Sequence, residues 1–316
     1  MLIVMRERRH ANQVMLIFLA AQVFLCLSAW LLYFHVRLPW ATSNMAQEKF
    51  AVFSSYLDQG IMSAVAAAVL WHLRTLAPSP VVHRLMVALS VVALGNVFLV
   101  FSGRTGHLVG IAMISLAIFW QLPKRFRLAA FVIPPVLFIA ALAGFGKVGE
   151  GFEKARQEMS AYSGTPTAGS SVGMRLSFWK ASVESIAAHP AFGTGVGSWL
   201  VQYEKFAPPR SDKERHGNPH QEFLLWGVQL GVGGIALLLV LLASLCRDFT
   251  RLESASARAG LSAVAALAIS CLFNSTLYDA YIGDFFCITF AVLLGYGWLS
   301  RQTVVPAETT VSAKSA

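Results

Sequence analysis

Charge is what this sequence has least of. Asp, Glu, Lys and Arg make up 13% of its 316 residues, about half of the ~25% usual in soluble domains. With 56% hydrophobic residues and a mean hydropathy of +0.60, that scarcity excludes a water-soluble globular domain and leaves an integral membrane protein. Cysteine is scarce too. Cys26, Cys246, Cys271 and Cys287 all lie in or beside apolar runs and none in the long polar stretch, which argues against a disulfide framework or a cysteine zinc site. There is no D-x-D pair and no H-x-x-x-H spacing, so a metal site is not expected and any pyrophosphate would fall to arginine. No nucleic-acid-binding signature accompanies the net charge of +9, which membrane topology largely explains. No A-x-A cleavage site follows the first apolar run, Val14 to Val36, and that run is too long for a signal peptide, so it reads as a retained span.

Long apolar runs are what the sequence has most of. About 20 apolar residues cross a bilayer, and eight candidates occur, at 14–36, 57–76, 83–101, 106–121, 128–146, 222–245, 259–278 and 283–300. The second contains His72 and the fourth is short, which makes them the weakest of the eight. The expected fold is an all-α integral membrane protein of about eight transmembrane helices with one long, partly helical loop. It divides into five N-terminal spans (1–146), the loop (147–221), three C-terminal spans (222–300) and a small polar tail (301–316).

Lys and Arg orient the spans. With the N-terminus inside, the short inner segments hold Arg6, Arg8, Arg9, Arg74, Arg84, Lys124, Arg125, Arg127, Arg247, Arg251, Arg258, Arg301 and Lys314, whereas the short outer ones hold only Arg37, Lys49 and Arg104. Cytoplasmic loops carry that excess. Both termini are therefore expected in the cytoplasm and the 147–221 loop on the outer face.

Within the loop, Met174 to Ala188 has apolar residues at helical spacing and ends at His189-Pro190, where the proline disfavours helix for its predecessor. A short amphipathic stretch follows from Trp199 to Phe206. The apolar faces of these two helices are expected on the membrane surface or over the mouth of the bundle. Between them, Gly193-x-Gly195-x-Gly197-Ser198 lacks the P-loop lysine and no strand precedes it, so a tight turn is preferred to a phosphate loop. Ser160 to Gly173 and the tail from Gln302 read as flexible. Gly227 and Gly231, four apart, read as helix-packing positions.

Three basic residues stand out on the outer side. In Asn218-Pro219-His220-Gln221-Glu222, Asn218 is expected as an N-cap with Pro219 at the first helical position, which puts His220 in the first turn. The positive end of the helix dipole would hold that imidazole neutral. Arg104 sits between two spans in Ser102-Gly103-Arg104-Thr105-Gly106, and Arg175 is expected to begin the loop helix, where the dipole disfavours a cation unless it meets an anion. Taken singly, His220 reads equally well as an interfacial histidine and each arginine as a snorkelling side chain.

In order, Ser102-Gly103-Arg104-Thr105-Gly106, Arg175-Leu-Ser-Phe-Trp179, His189-Pro190-Ala-Phe-Gly193-Thr-Gly195-Val-Gly197, Pro219-His220 with Leu224, and Gly231-Val-Gly233-Gly234 resemble the O-antigen ligase and O-antigen polymerase superfamily of bacterial inner-membrane glycosyltransferases. The likeness covers roughly residues 85–300. It implies a GT-C-type helical membrane fold and an inverting, metal-independent sugar transfer without a cofactor. A glycan on undecaprenyl pyrophosphate passes to an acceptor at the periplasmic side, which in ligases is the lipid A-core. By position the resemblance implies Arg104 and Arg175 as pyrophosphate-binding residues and His220 as base or orienting group, with Trp179, Gln221 and Glu222 beside them as substrate-binding residues. Two departures accompany it. Gln221 stands where relatives often have Asn, and relatives usually carry more spans before the arginine turn, so the chain resembles an N-terminally shortened member. Ligase is preferred to polymerase. A solute transporter is the rival from another class, disfavoured by the absence of inverted repeats or paired broken helices in the sequence.

Overall fold

A computed structural model describes residues 7–53, 55–142, 153, 156, 157, 159, 160, 171–206 and 217–302. Among these every regular element is a helix. The α-helices are α1 (Arg8–Tyr33), α2 (Ala46–Lys49), α3 (Tyr56–Leu73), α4 (Pro80–Gly95), α5 (Arg104–Gln121), α6 (Ala129–Leu142), α7 (Ser171–Ala188), α8 (Trp199–Phe206), α9 (Glu222–Thr250), α10 (Ser254–Phe273) and α11 (Ala280–Gln302).

A helix lies at each of the eight expected spans. Among the described residues, five helices are long and apolar enough to cross a membrane: Arg8–Tyr33, Pro80–Val100, Glu222–Thr250, Ser254–Phe273 and Ala280–Ser300. With 18 residues each, α3 and α5 reach about 27 Å, just under the ~30 Å of a hydrocarbon core.

One of the two weakest sequence assignments turns out to be the centre of the bundle. Along α3, Ile61, Ala64, Val65, Ala68, Val69 and Leu73 are buried, and they share one core with residues of α1, α5, α10 and α11. The cause is side-chain size. Small residues let helix backbones approach where lipid gives no hydrophobic drive, and at Gly60 and Gly106 the α3 and α5 backbones nearly touch. The α3 start is capped by Ser55, whose Oγ accepts from Asp58 N at 3.2 Å and donates to Asp58 Oδ2 at 2.6 Å. Gly260 of α10 lies flat against the Phe249 ring of α9. In α4, Ser79 caps and Pro80 opens the helix, and a π-helical turn, Asn96–Val100, follows it directly. Asn96 there donates from Nδ2 to Cys26 O at 3.0 Å, and the chain then leaves through extended Phe101 toward Arg104.

Three expectations are corrected here. Gly231 is not a packing position inside a regular helix: with φ 67° and ψ −156° it breaks α9. Ser160 and Ser171 to Gly173, read as part of a flexible segment, are helical, the last three in α7, and Gln302, read as the start of a flexible tail, is the last residue of α11. Residues 161–170 and 303–316, also read as flexible, lie outside the described residues.

Candidate active site

Four helix ends and one loop helix meet at one end of the bundle. Arg104 is the first residue of α5, after the Gly103 N-cap, so the unfavourable dipole falls on Arg104. Arg175 stands a full turn inside α7, which begins at Ser171 and not, as expected, at Arg175. The two guanidinium groups are close enough to act on each other. Burial first, and then the Arg104 charge, push the Arg175 guanidinium below its ordinary value, while the Tyr56 hydroxyl acts the other way. Tyr56 opens α3, and Lys49 Nζ lies 5.7 Å from its ring centroid. Lys49 and Arg175 thus bring positive charge toward one phenol, with Arg104 acting on Arg175. Like charges held together in a partly buried place repel, and a polyanion between them turns that repulsion into binding.

His220 approaches the face of α7 that carries Arg175. Its ring centroid is 6.2 Å from that of Phe178, and Phe178 follows Arg175 by one turn on the same helix. The local conformation departs from expectation. Helix α9 begins at Glu222 with Gln221 as N-cap, its side chain accepting from Leu224 N at 2.5 Å. Asn218 is not the cap: its Oδ1 accepts from His220 N at 2.9 Å in a tight turn. Trp179 Nε1 donates to Pro219 O at 3.2 Å and ties the same segment to α7. These two bonds draw residues 218–220 off the helix axis, and His220 takes φ 51°. A left-handed conformation is uncommon for a residue with a Cβ and marks places where surroundings impose geometry. His220 therefore precedes the helix and does not sit in its first turn.

A partner that the sequence did not reveal sets the ring. His220 Nδ1 lies 3.2 Å from Asn274 Oδ1, at the end of α10. An amide oxygen only accepts, so this contact calls for a proton on Nδ1, which in the neutral imidazole leaves the lone pair on Nε2. Glu222 is buried as the first residue of α9; its Oε1 accepts from Trp226 Nε1 at 2.8 Å and its Oε2 from Leu277 N at 2.9 Å. Expected as substrate contacts, Trp179, Gln221 and Glu222 use these polar atoms to fix the loop, the helix start and the α10–α11 connection.

The loop helices cover this end. Phe178, Ala181, Trp199, Tyr203, Leu225 and Val228 form a core between α7, α8 and α9, and Trp199 Nε1 donates to Ser182 Oγ at 2.9 Å.

Residues 88–239 match the model of the O-Antigen ligase family. Over that stretch the chain is similar to the O-antigen ligase family. Arg104, Arg175 and His220 all fall inside the matched stretch. No curated protein matches the chain. O-antigen ligase family members are membrane glycosyltransferase-like enzymes of ligase or polymerase type acting on lipid-linked glycans. Within the matched stretch the two arginines and the histidine, spread over more than a hundred positions, come from α5, α7 and the segment before α9. Asn274 and Tyr56 lie outside the matched stretch, and single residues of such common types at helix ends carry no signal in one sequence.

Proposed function

We propose that the protein is an O-antigen ligase of the bacterial inner membrane, an eight-span enzyme of GT-C type. It moves a glycan from undecaprenyl pyrophosphate to the lipid A-core at the periplasmic face, with inversion and without a metal. The observation that carries this reading is the Arg104–Arg175 pair beside a histidine whose Nδ1 is held by Asn274. The acceptor hydroxyl oxygen forms the new bond to the anomeric carbon as the bond to the pyrophosphate oxygen breaks. Its proton passes to His220 Nε2, and the negative charge growing on undecaprenyl pyrophosphate is held by Arg104 and Arg175. Guanidinium suits this task because it stays charged and binds two phosphate oxygens at once. Trp179, Gln221 and Glu222 form the wall that keeps His220 and the acceptor in register.

His220→Ala removes a general base worth about 10²–10⁴ in rate. In cells it is expected to abolish long-chain lipopolysaccharide while lipid-linked glycan accumulates; an unchanged lipopolysaccharide ladder would overturn the assignment. Purified protein given labelled lipid-linked glycan and lipid A-core is expected to label the core. Longer glycan on the lipid carrier, with no label on the core, would instead identify a polymerase.

A further inference from the structure

The break in α9 and the glycine turn between α7 and α8 are one construction. Helix α7 runs beside the first third of α9 in the same direction: Trp179 bonds Pro219 O, Ile186 lies against Gly227, and Pro190 O accepts from Val232 N at 2.8 Å. Thr194 N and Gly195 N then donate to Val228 O and Gln229 O, both at 2.9 Å, and Gly197 N to Gln229 Oε1 at 3.3 Å. Carbonyls and an amide freed where Gly231 unwinds the helix are thus satisfied by the turn.

Two rulers give the depth of this contact. Helix α10 has 20 residues, about 30 Å at 1.5 Å each, which puts its end at Asn274, and His220 with it, at the hydrocarbon boundary. Gly231 lies nine positions past Glu222 on α9, about 13 Å further in. From the opposite end, Arg247 to Gly231 is about 24 Å of helix, leaving about 6 Å of a 30 Å core above the break, so the two together bracket it at about 6–13 Å inside the boundary. Unwound backbone at that depth is tolerated only where protein satisfies it, as here.

The side chains grade in the same direction. Phe192 and Val196 at the tip are 88% and 83% exposed, and Val183 and Val201 just behind it 55% and 64%. They continue the apolar surface of α9 at Val232 (57%). The tip's hydroxyls turn inward: Thr194 Oγ1 donates to Val228 O at 3.0 Å and Ser198 Oγ to Gly195 O at 2.6 Å. The exposed polar exception is His189, at the end of α7. Lys180, Glu204 and Lys205, all exposed, begin about 10 Å back from the tip. A large exposed apolar patch bounded by charge marks a surface covered in use, and continuity with a membrane-spanning helix says by what.

We propose that α7, the turn and α8 form a re-entrant hairpin whose tip, Pro190 to Ser198, sits among lipid acyl chains of the leaflet on the active-site side. The hairpin anchors Arg175, on its upper part, at a fixed height over the bilayer. The inference does not depend on the reaction proposed above.

Single cysteines F192C, V196C, K180C and E204C in otherwise native chains test it, with the unsubstituted chain giving the background from its own four cysteines. In sheared membranes open on both faces, an impermeant maleimide is expected to label F192C and V196C at least tenfold more slowly than K180C and E204C, with all four equal in detergent. Equal rates before detergent would overturn the proposal. Both tip variants replace exposed side chains, and a monodisperse profile in mild detergent certifies their fold. A nitroxide at either tip position in proteoliposomes is expected to collide more with oxygen than with a nickel chelate; the reverse preference overturns it as well.

Discussion

Asn274 is the residue whose substitution separates positioning from packing. It touches the imidazole and not the reacting atoms, so Asn274→Ala frees Nδ1 to exchange tautomers while leaving both arginines in place. In the purified transfer assay kcat is expected to fall about tenfold or more, part of the 10²–10⁴ a general base supplies, with KM for the lipid-linked donor within about twofold. A rise in KM at constant kcat would contradict that role. Arg175→Lys is the complementary case. It keeps a charge but loses the two-pronged contact with phosphate, and kcat is expected to fall at least ~10-fold, in line with the loss of one transition-state donor. Arg175, Arg104 and His220 stand out in the sequence because charged side chains at span boundaries are few. Asn274 and Tyr56 do not stand out, since nothing about a residue type tells which imidazole or guanidinium it will meet.

Four glycines at the α7–α8 turn and the α9 break have positive φ, and they are not equivalent. A Cβ on Gly231 would run into Pro190 O, and one on Gly193 would meet the backbone of Gln229 at 2.5 Å, whereas Gly195 and Gly197 have open space around them. The left-handed conformation costs a residue with a Cβ about 1–2 kcal/mol, and backbone overlap adds about 1–3 more. Gly231→Ala and Gly193→Ala are therefore expected to lower the melting temperature in detergent, or to abolish expression, well beyond Gly195→Ala and Gly197→Ala. Equal losses at all four would mean the turn does not dock on the helix. The glycine spacing had pointed to a tight turn rather than a phosphate loop. What the turn closes onto was not legible, because a helix break made by one glycine looks like any glycine in an apolar run.

At the scale of the molecule the bundle joins the first and last thirds of the chain: α10 packs on α3 and α5, and α1 on α11. The site ends of α3, α5, α9 and α10 coincide, so one orientation of the bundle decides where the chemistry faces. With that end periplasmic, an impermeant maleimide is expected to reach K180C and E204C in intact spheroplasts, and R84C, R125C and R251C only after the membrane is opened. The opposite pattern would put the site in the cytoplasm and end the ligase reading. Hydrophobic run length located helices at all eight expected positions, and the two it ranked weakest, α3 and α5, are not among the five long and apolar enough to cross a membrane. The run weakened by His72 is the most buried helix, since small residues pack well and score low in apolarity.

What the sequence alone determined is the helical, membrane-embedded class, the positions of the helices and the three basic residues worth watching, because bilayer thickness and charge desolvation act on local composition. What only the tertiary structure decided is the start of α9 after His220, the Asn274 partner, the break at Gly231 and the hairpin that seals it. Each of these depends on a hydrogen bond between residues distant in sequence, and no local propensity encodes which distant group will be there to accept it.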